Sequence, residues 1–191
     1  MERETYCYEE HSTQANPTYV NDMGPYVYPN NQVYFGCYKN GHMHGVGCIL
    51  FELGNLYYGN FRDDQICGPG AMLYSDGSHY KGEWANNLAH GHGTLTETDG
   101  VVYTGSWHCN VRSGHGVEQF HDDCTYKGDY KDGLKNGDGY FTWKDGSEYR
   151  GNFVDGDIQG KGVYWWADER RFEGDWVKNE MHGNGVFTWK D

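Results

Sequence analysis

Apolar residues in this chain recur neither on a helical face nor in long alternating runs; they gather in short clusters of aromatics and glycines. The cluster Tyr80-x-Gly82-x-Trp84 returns as Tyr34-x-Gly36-x-Tyr38, Tyr57-x-Gly59-x-Phe61, Tyr103-x-Gly105-x-Trp107, Tyr126-x-Gly128-x-Tyr130, Tyr149-x-Gly151-x-Phe153 and Phe172-x-Gly174-x-Trp176, always at a step of 23 residues. A glycine pair follows in every copy, as at Gly45/Gly47, Gly91/Gly93 and Gly183/Gly185. Seven repeats therefore start at residues 34, 57, 80, 103, 126, 149 and 172, without insertion or deletion. Residues 24–33 align with the second half of a unit and read as a half repeat, so the array spans 23–191 and residues 1–22 form a polar N-terminal tail.

Each unit predicts two short strands. The first covers the Tyr-x-Gly-x-Trp cluster; the second runs through the glycine pair to an aromatic, as in Gly93 to Glu97 or Gly139 to Trp143. Between them stand Gly41, Asp64, Asn87, Asn110, Gly133, Gly156 and Asn179, residue types that tolerate a left-handed backbone in a turn. A second turn, often Asp-Gly as at Asp76-Gly77, leads to the next unit. The expected fold is all-β, an elongated single-layer antiparallel sheet of tandem hairpins, curved, twisted and open-ended.

Alternation assigns faces, because residues two apart on a strand point the same way. Repeat positions 1, 3 and 5, with 14, 16 and 18, share a side on which glycines leave floor space for rings. That side is richest toward the C-terminal end, where Tyr130, Trp143, Phe153, Tyr164, Trp166, Phe172, Trp176, Phe187 and Trp189 are the candidate partner-binding groove for a peptide or helix. The opposite face carries an apolar patch in the first repeats, Phe35, Leu50, Tyr58 and Leu73, which the N-terminal tail or a partner should cover.

Composition narrows the possibilities. Hydrophobic residues make up 37% and aromatics alone 17%, so rings must supply most of the buried apolar surface. A net charge of −13, without a basic stripe, disfavours nucleic acid and unassisted binding to an anionic bilayer. Six cysteines show no CxxC pair, and no apolar run approaches the ~20 residues of a membrane span, so an intracellular protein with reduced thiols is expected. Gly156 to Gly162 (GDIQGKG) lacks the spacing of a phosphate loop. Acids, serines and histidines follow turn positions rather than converging, so no catalytic residue and no cofactor are expected. Cys37, His42, His44 and Cys48 bracket one turn with the composition of a zinc site, but His44 is a regular residue of the repeat and the cysteines suit an apolar face.

These units resemble MORN repeats (membrane occupation and recognition nexus), whose pattern is met at Tyr80, Gly82, Trp84, His90, Gly91 and Gly93. The stretch GEWANNLAHGHG is also similar to repeats of radial-spoke head proteins. The His-Gly pair becomes Cys67-Gly68, Ser113-Gly114, Asn136-Gly137 and Gln159-Gly160, so no continuous histidine row is expected. The resemblance implies a non-enzymatic scaffold or adaptor in a cytoskeletal, ciliary or membrane-associated complex, placed in the cytoplasm, at the cytoskeleton, in a cilium or peripherally on a membrane. The alternative it implies is a phosphoinositide-directed module, possibly regulating a longer enzyme, which would rely on Arg170, Arg171 and Lys178. Repeat seven stops at Trp189-Lys190-Asp191 with its aromatic pattern intact, so the strand Gly185 to Trp189 is expected either to continue into a longer protein or to pair with a partner or a second copy as a homodimer.

Overall fold

The computed structural model describes residues 19–20 and 24–190; the tail assigned to residues 1–22 lies largely outside the described residues. The chain divides into two compact units, Met1–Thr98 and Asp99–Asp191. Every regular element among the described residues is a β-strand. Among the described residues no helix is long and apolar enough to cross a membrane.

The first unit contains β1 (Tyr19–Val20), β2 (Tyr26–Val27), β3 (Val33–Lys39), β4 (His42–Leu50), β5 (Leu56–Arg62), β6 (Gln65–Leu73), β7 (His79–Ala85) and β8 (Leu88–Thr96). From β3 to β8 each strand pairs antiparallel with the next. The outer edge of β3 is shared by two short strands: β2 lies opposite Val33 and Tyr34, and β1 opposite Tyr38 and Lys39. The second unit contains β9 (Val102–His108), β10 (Val111–Gln119), β11 (Thr125–Lys131), β12 (Leu134–Thr142), β13 (Glu148–Val154), β14 (Asp157–Trp165), β15 (Arg171–Val177) and β16 (Glu180–Thr188). They form the same meander in chain order.

Within each repeat a two-residue turn joins strands of seven and nine residues. Both turn residues are left-handed, as at Asn86 and Asn87 (φ 51° and 66°) or Asp63 and Asp64 (φ 48° and 66°), the geometry that matches the twist of a hairpin. The second strand is longer than the sequence suggested because it starts before the glycine pair and passes through a bulge. In β7 and β8, Gly82 faces Gly93, then the register shifts, and Trp84 faces Ala89. Gly91 occupies the bulge at φ 67°. The two glycines of each pair thus have different tasks: the first kinks the strand and the second makes floor.

The use of that floor accounts for burial in a single layer. Tyr126 lies across Gly128 and Gly139 so closely that a Cβ on Gly139 would stand 2.6 Å from the ring. Its hydroxyl donates to the carbonyl of Asp129 at 3.0 Å. The same bond joins Tyr34 to Cys37, Tyr57 to Asn60, Tyr80 to Glu83, Tyr103 to Ser106 and Tyr149 to Asn152. These six tyrosines are essentially inaccessible, and burial pushes the hydroxyls of Tyr103 and Tyr149 up to about 12. Phe172 holds the equivalent place in the last repeat, where its ring covers Gly174 and Gly185.

Candidate functional site

Position-5 rings wedge between the position-1 rings of their own and the adjacent repeat. In the first unit Phe61 meets Tyr34 at 5.1 Å and Tyr57 at 5.3 Å, and Trp84 meets Tyr57 at 5.4 Å and Tyr80 at 5.1 Å. In the second unit Tyr130 bridges Tyr103 and Tyr126, Phe153 bridges Tyr126 and Tyr149, and Trp176 bridges Tyr149 and Phe172. All these contacts are edge-to-face, the favourable arrangement for ring quadrupoles. This spine supplies most of the buried rings of the core, and it contains four of the nine rings expected to line the groove: Tyr130, Phe153, Phe172 and Trp176, all 3–5% exposed.

The other five, Trp143, Tyr164, Trp166, Phe187 and Trp189, belong to a second row on the same face, made by positions 16 and 18. Ring centroids follow one another from Phe120 to Phe141 (5.8 Å), Trp143 (4.6 Å), Tyr164 (5.1 Å), Trp166 (4.8 Å), Phe187 (5.7 Å) and Trp189 (5.4 Å). Phe120 and Phe141 were not among the groove residues read from the sequence; the signal for them was their position in the repeat. This ribbon is less covered than the spine. Trp143, Tyr164 and Trp166 are half-buried, whereas Phe187 is 43% and Trp189 64% exposed. The equivalent positions of the first unit hold Ile49, Phe51, Met72, Tyr74, Leu95 and Glu97, so the continuous ring row is a property of the second unit.

The ribbon begins beside a charged cluster. Glu118 takes position 16 of its repeat, where the others have Ile, Met, Leu, Phe or Tyr, and it is 5% exposed. Its carboxylate accepts from Arg112 at 2.5 Å, Lys135 at 3.1 Å and the Tyr130 hydroxyl at 3.1 Å. Burial, then the charge of Glu118, drives the Tyr130 hydroxyl far above the ordinary tyrosine range. Lys135 also places its ammonium over Phe120 at 4.7 Å and Phe141 at 5.9 Å, closing that end of the ribbon.

On the opposite face of the first unit, Phe35, Leu50, Tyr58 and Leu73 are all substantially exposed. Tyr58 stands between Cys48 and Ala71 in register. A depression of about 460 Å³ adjoins it, lined by Val46, Tyr58, Pro69, Ala71, Lys81 and His92. Of the four residues with zinc-like composition, His42 reaches Asp64 at 2.5 Å and His44 faces Asp63 at 3.4 Å, both on the next hairpin. Among the described residues these four do not gather their ligand atoms into one group. Of the three cations a lipid headgroup would need, Arg170 is paired with Asp168 and Arg171 with Glu173, and Lys178 is exposed. Strand β16 is exposed along its whole length.

The MORN repeat family profile matches residues 34–52, 57–79, 80–102, 103–125, 126–148, 149–169 and 172–191. A comparison with curated proteins finds no match. Among solved structures the chain is similar to the TCP domain of SAS-4 (dCPAP) of Drosophila melanogaster, solved in complex with a proline-rich motif of Ana2 (dSTIL); identity is 14%, the TM-score is 0.47, and the match covers 94% of this chain and 90% of that one. It is also similar to the wild-type TCP10 domain of Danio rerio CPAP, at 14% identity and a TM-score of 0.46, over 87% of this chain and 83% of the other.

Proposed function

Because the chain belongs to the MORN-repeat family, we propose that it is a non-enzymatic scaffold whose second unit holds a protein partner on the aromatic ribbon from Trp143 to Trp189. The observation that carries this reading is the division of labour between two ring rows. The spine of Tyr, Phe and Trp at positions 1 and 5 supplies the large buried rings of the core. The second row adds rings that neighbouring strands leave half open or exposed, as Phe187 and Trp189 are. Aromatic rows of this kind are typical of surfaces that desolvate on association.

The cytoskeletal, ciliary or membrane-associated setting of such a scaffold is the one the repeats imply. Arg170 and Arg171, engaged by carboxylates, offer little to an anionic headgroup, so a protein partner is favoured over lipid. The test is affinity capture from the native cell with the wild-type protein and with a variant carrying Trp143→Ala, Trp166→Ala and Phe187→Ala. A partner retained by the wild type and lost by the variant, with the thermal melt preserved, supports the reading. Equal retention by both, or capture transferred to Tyr58 and Leu73 on the other face, overturns it.

A further inference from the structure

Building on that reading, we propose that the ribbon's occupant is a polyproline II segment carrying Lys or Arg, laid along the row with one turn of the segment per repeat. The first argument is periodicity. Each repeat contributes two strands, and strands lie ~4.8 Å apart, so equivalent rings recur about every 9.6 Å. A polyproline II helix rises ~3.1 Å per residue with three residues per turn, a pitch of about 9.3 Å. The two periods differ by a few tenths of an ångström, so a segment spanning Trp143, Trp166 and Trp189 stays in step. An α-helix, with a pitch of ~5.4 Å, falls out of step by about 1 Å in each repeat.

The second argument is hydrogen bonding. Position 18 is tryptophan in the last three repeats, at Trp143, Trp166 and Trp189. The spine indole of Trp176 donates to the carbonyl of Gly162 at 3.2 Å, whereas the indole N–H groups of Trp143, Trp166 and Trp189 donate to no atom among the described residues. They supply one donor per repeat. A polyproline II segment has no internal hydrogen bonds, and its carbonyls project freely, so one acceptor per turn can meet one indole. Flat rings such as Tyr164 and Phe187 between the indoles suit proline rings, whose apolar faces need no donor.

The third argument is charge. The turns bordering the ribbon carry Asp122, Asp123, Asp145, Asp168 and Glu169 against Lys144, Arg170 and Lys190. Each of these cations is already paired, with Asp123, Asp168 and Glu169 respectively. Asp122 and Asp145 accept hydrogen bonds from the backbone and side chains of Cys124 and Ser147, which carry no compensating charge. The border is therefore anionic, in a unit with seventeen acidic and eleven basic residues, and it complements a partner bearing Lys or Arg between its prolines.

The experiment titrates the full chain, by tryptophan fluorescence and calorimetry, with peptides of about twelve residues, enough for about four turns. The probes are Arg-Pro-Pro repeats, Arg-Gly-Gly repeats of the same charge, Glu-Pro-Pro repeats of the same conformation, and an amphipathic Leu/Lys helix. The expected result is binding of Arg-Pro-Pro at least about tenfold tighter than of either repeat control. Trp166→Phe, which keeps a ring and deletes the donor, should weaken it several-fold with an unchanged melt. Trp165→Ala, next to Trp166 but in the alternate orientation along β14, should not change it. Equal affinity for Arg-Pro-Pro and Arg-Gly-Gly, or no response to Trp166→Phe, overturns the proposal. Tighter binding of the helix on the same tryptophans overturns the polyproline occupant while leaving the scaffold reading in place. Failure of all four peptides also overturns the proposal, and the capture experiment then decides the scaffold reading separately.

Discussion

Tyr130 donates its hydroxyl to Oε2 of Glu118 at 3.1 Å, across neighbouring repeats and inside the aromatic spine. Glu118 also balances Arg112 and Lys135, whose side chains are 18% and 20% exposed. Removing one member of a buried ionic group strands the rest, whereas replacing the group by matched apolar residues is often neutral or favourable. Glu118→Leu alone should therefore destabilise the second unit by about 3 kcal/mol. The combination of Glu118→Leu, Arg112→Met and Lys135→Met, which mimics the apolar residues of other repeats, should recover most of that loss. Urea unfolding of the single and triple variants checks the difference.

Floor glycines leave no room for a methyl group. At Gly139 a Cβ would stand 2.6 Å from Cε2 of Tyr126 and 2.8 Å from Cδ2 of Phe153, and both rings are wedged by their neighbours. Gly139→Ala should cost about 3 kcal/mol, at the upper end for overpacking. Gly24, which has open space around it, should tolerate the same change. Thermal melts of the two variants make the comparison.

Phe172 occupies the place of six tyrosines whose hydroxyls donate to the carbonyl three residues on. Its ring already covers the same glycine floor. Phe172→Tyr should thus complete the missing bond and stabilise by about 1 kcal/mol, and Tyr126→Phe should lose a similar amount. A double comparison by urea unfolding tests whether the two changes have opposite signs.

The repeat length, both turns and the ring-bearing face were legible because glycine and aromatic residues are phased without a gap. The fate of each ring was not. Alternation tells which face Tyr130 and Trp143 occupy, but burial depends on what stands on either side. Tyr130 is held between Tyr103 and Tyr126 and is buried, while Trp143 lies in the second row and is half-buried. The bulge was hidden for a related reason: Gly91 and Gly93 look alike in sequence, and only register separates the kink from the floor. Glu118 was the one charge in an otherwise apolar column, and two cations at position 10 of adjacent repeats, Arg112 and Lys135, were its visible counterpart.

The aspartates that open the inter-hairpin turns should set the acid limit of the fold. Asp76, Asp122, Asp145 and Asp168 each accept the backbone N–H two residues on. Hydrogen bonds from Ser78, Cys124, Ser147 and Arg170 hold these carboxyls below the ordinary aspartate range. A depressed folded-state value means stabilisation that is complete above the unfolded value and lost as pH falls through the folded one. The melting temperature should accordingly hold down to about pH 4 and fall below it. Asp145→Asn, which keeps the acceptor and cannot be protonated in this range, should flatten that fall.

Successive hairpins are joined at their turns by a two-way clasp, and its absence from two repeats predicts a stabilising change. Asn179 donates its backbone N–H to the carbonyl of Ile158 at 3.1 Å, and its Oδ1 accepts the Ile158 N–H at 2.8 Å. Asn87 does the same to Ile66, at 3.0 and 2.7 Å. Gly156 keeps only the backbone half, donating to Lys135 at 2.9 Å, because it has no side chain. A Cβ there would meet nothing within 4 Å, although its φ of 92° is wider than the 68° of Asn179. Asparagine tolerates the left-handed region, and replacing glycine also removes unfolded-state freedom. Gly156→Asn should therefore relax toward the Asn179 geometry, gain the reciprocal bond to Lys135 and stabilise by about 1 kcal/mol. Asn179→Gly should lose a comparable amount. Hydrogen exchange at the Lys135 and Ile158 amides reads the clasp directly: protection should rise at Lys135 in the first variant and fall at Ile158 in the second, and a stability gain without that protection would assign the effect to the unfolded chain.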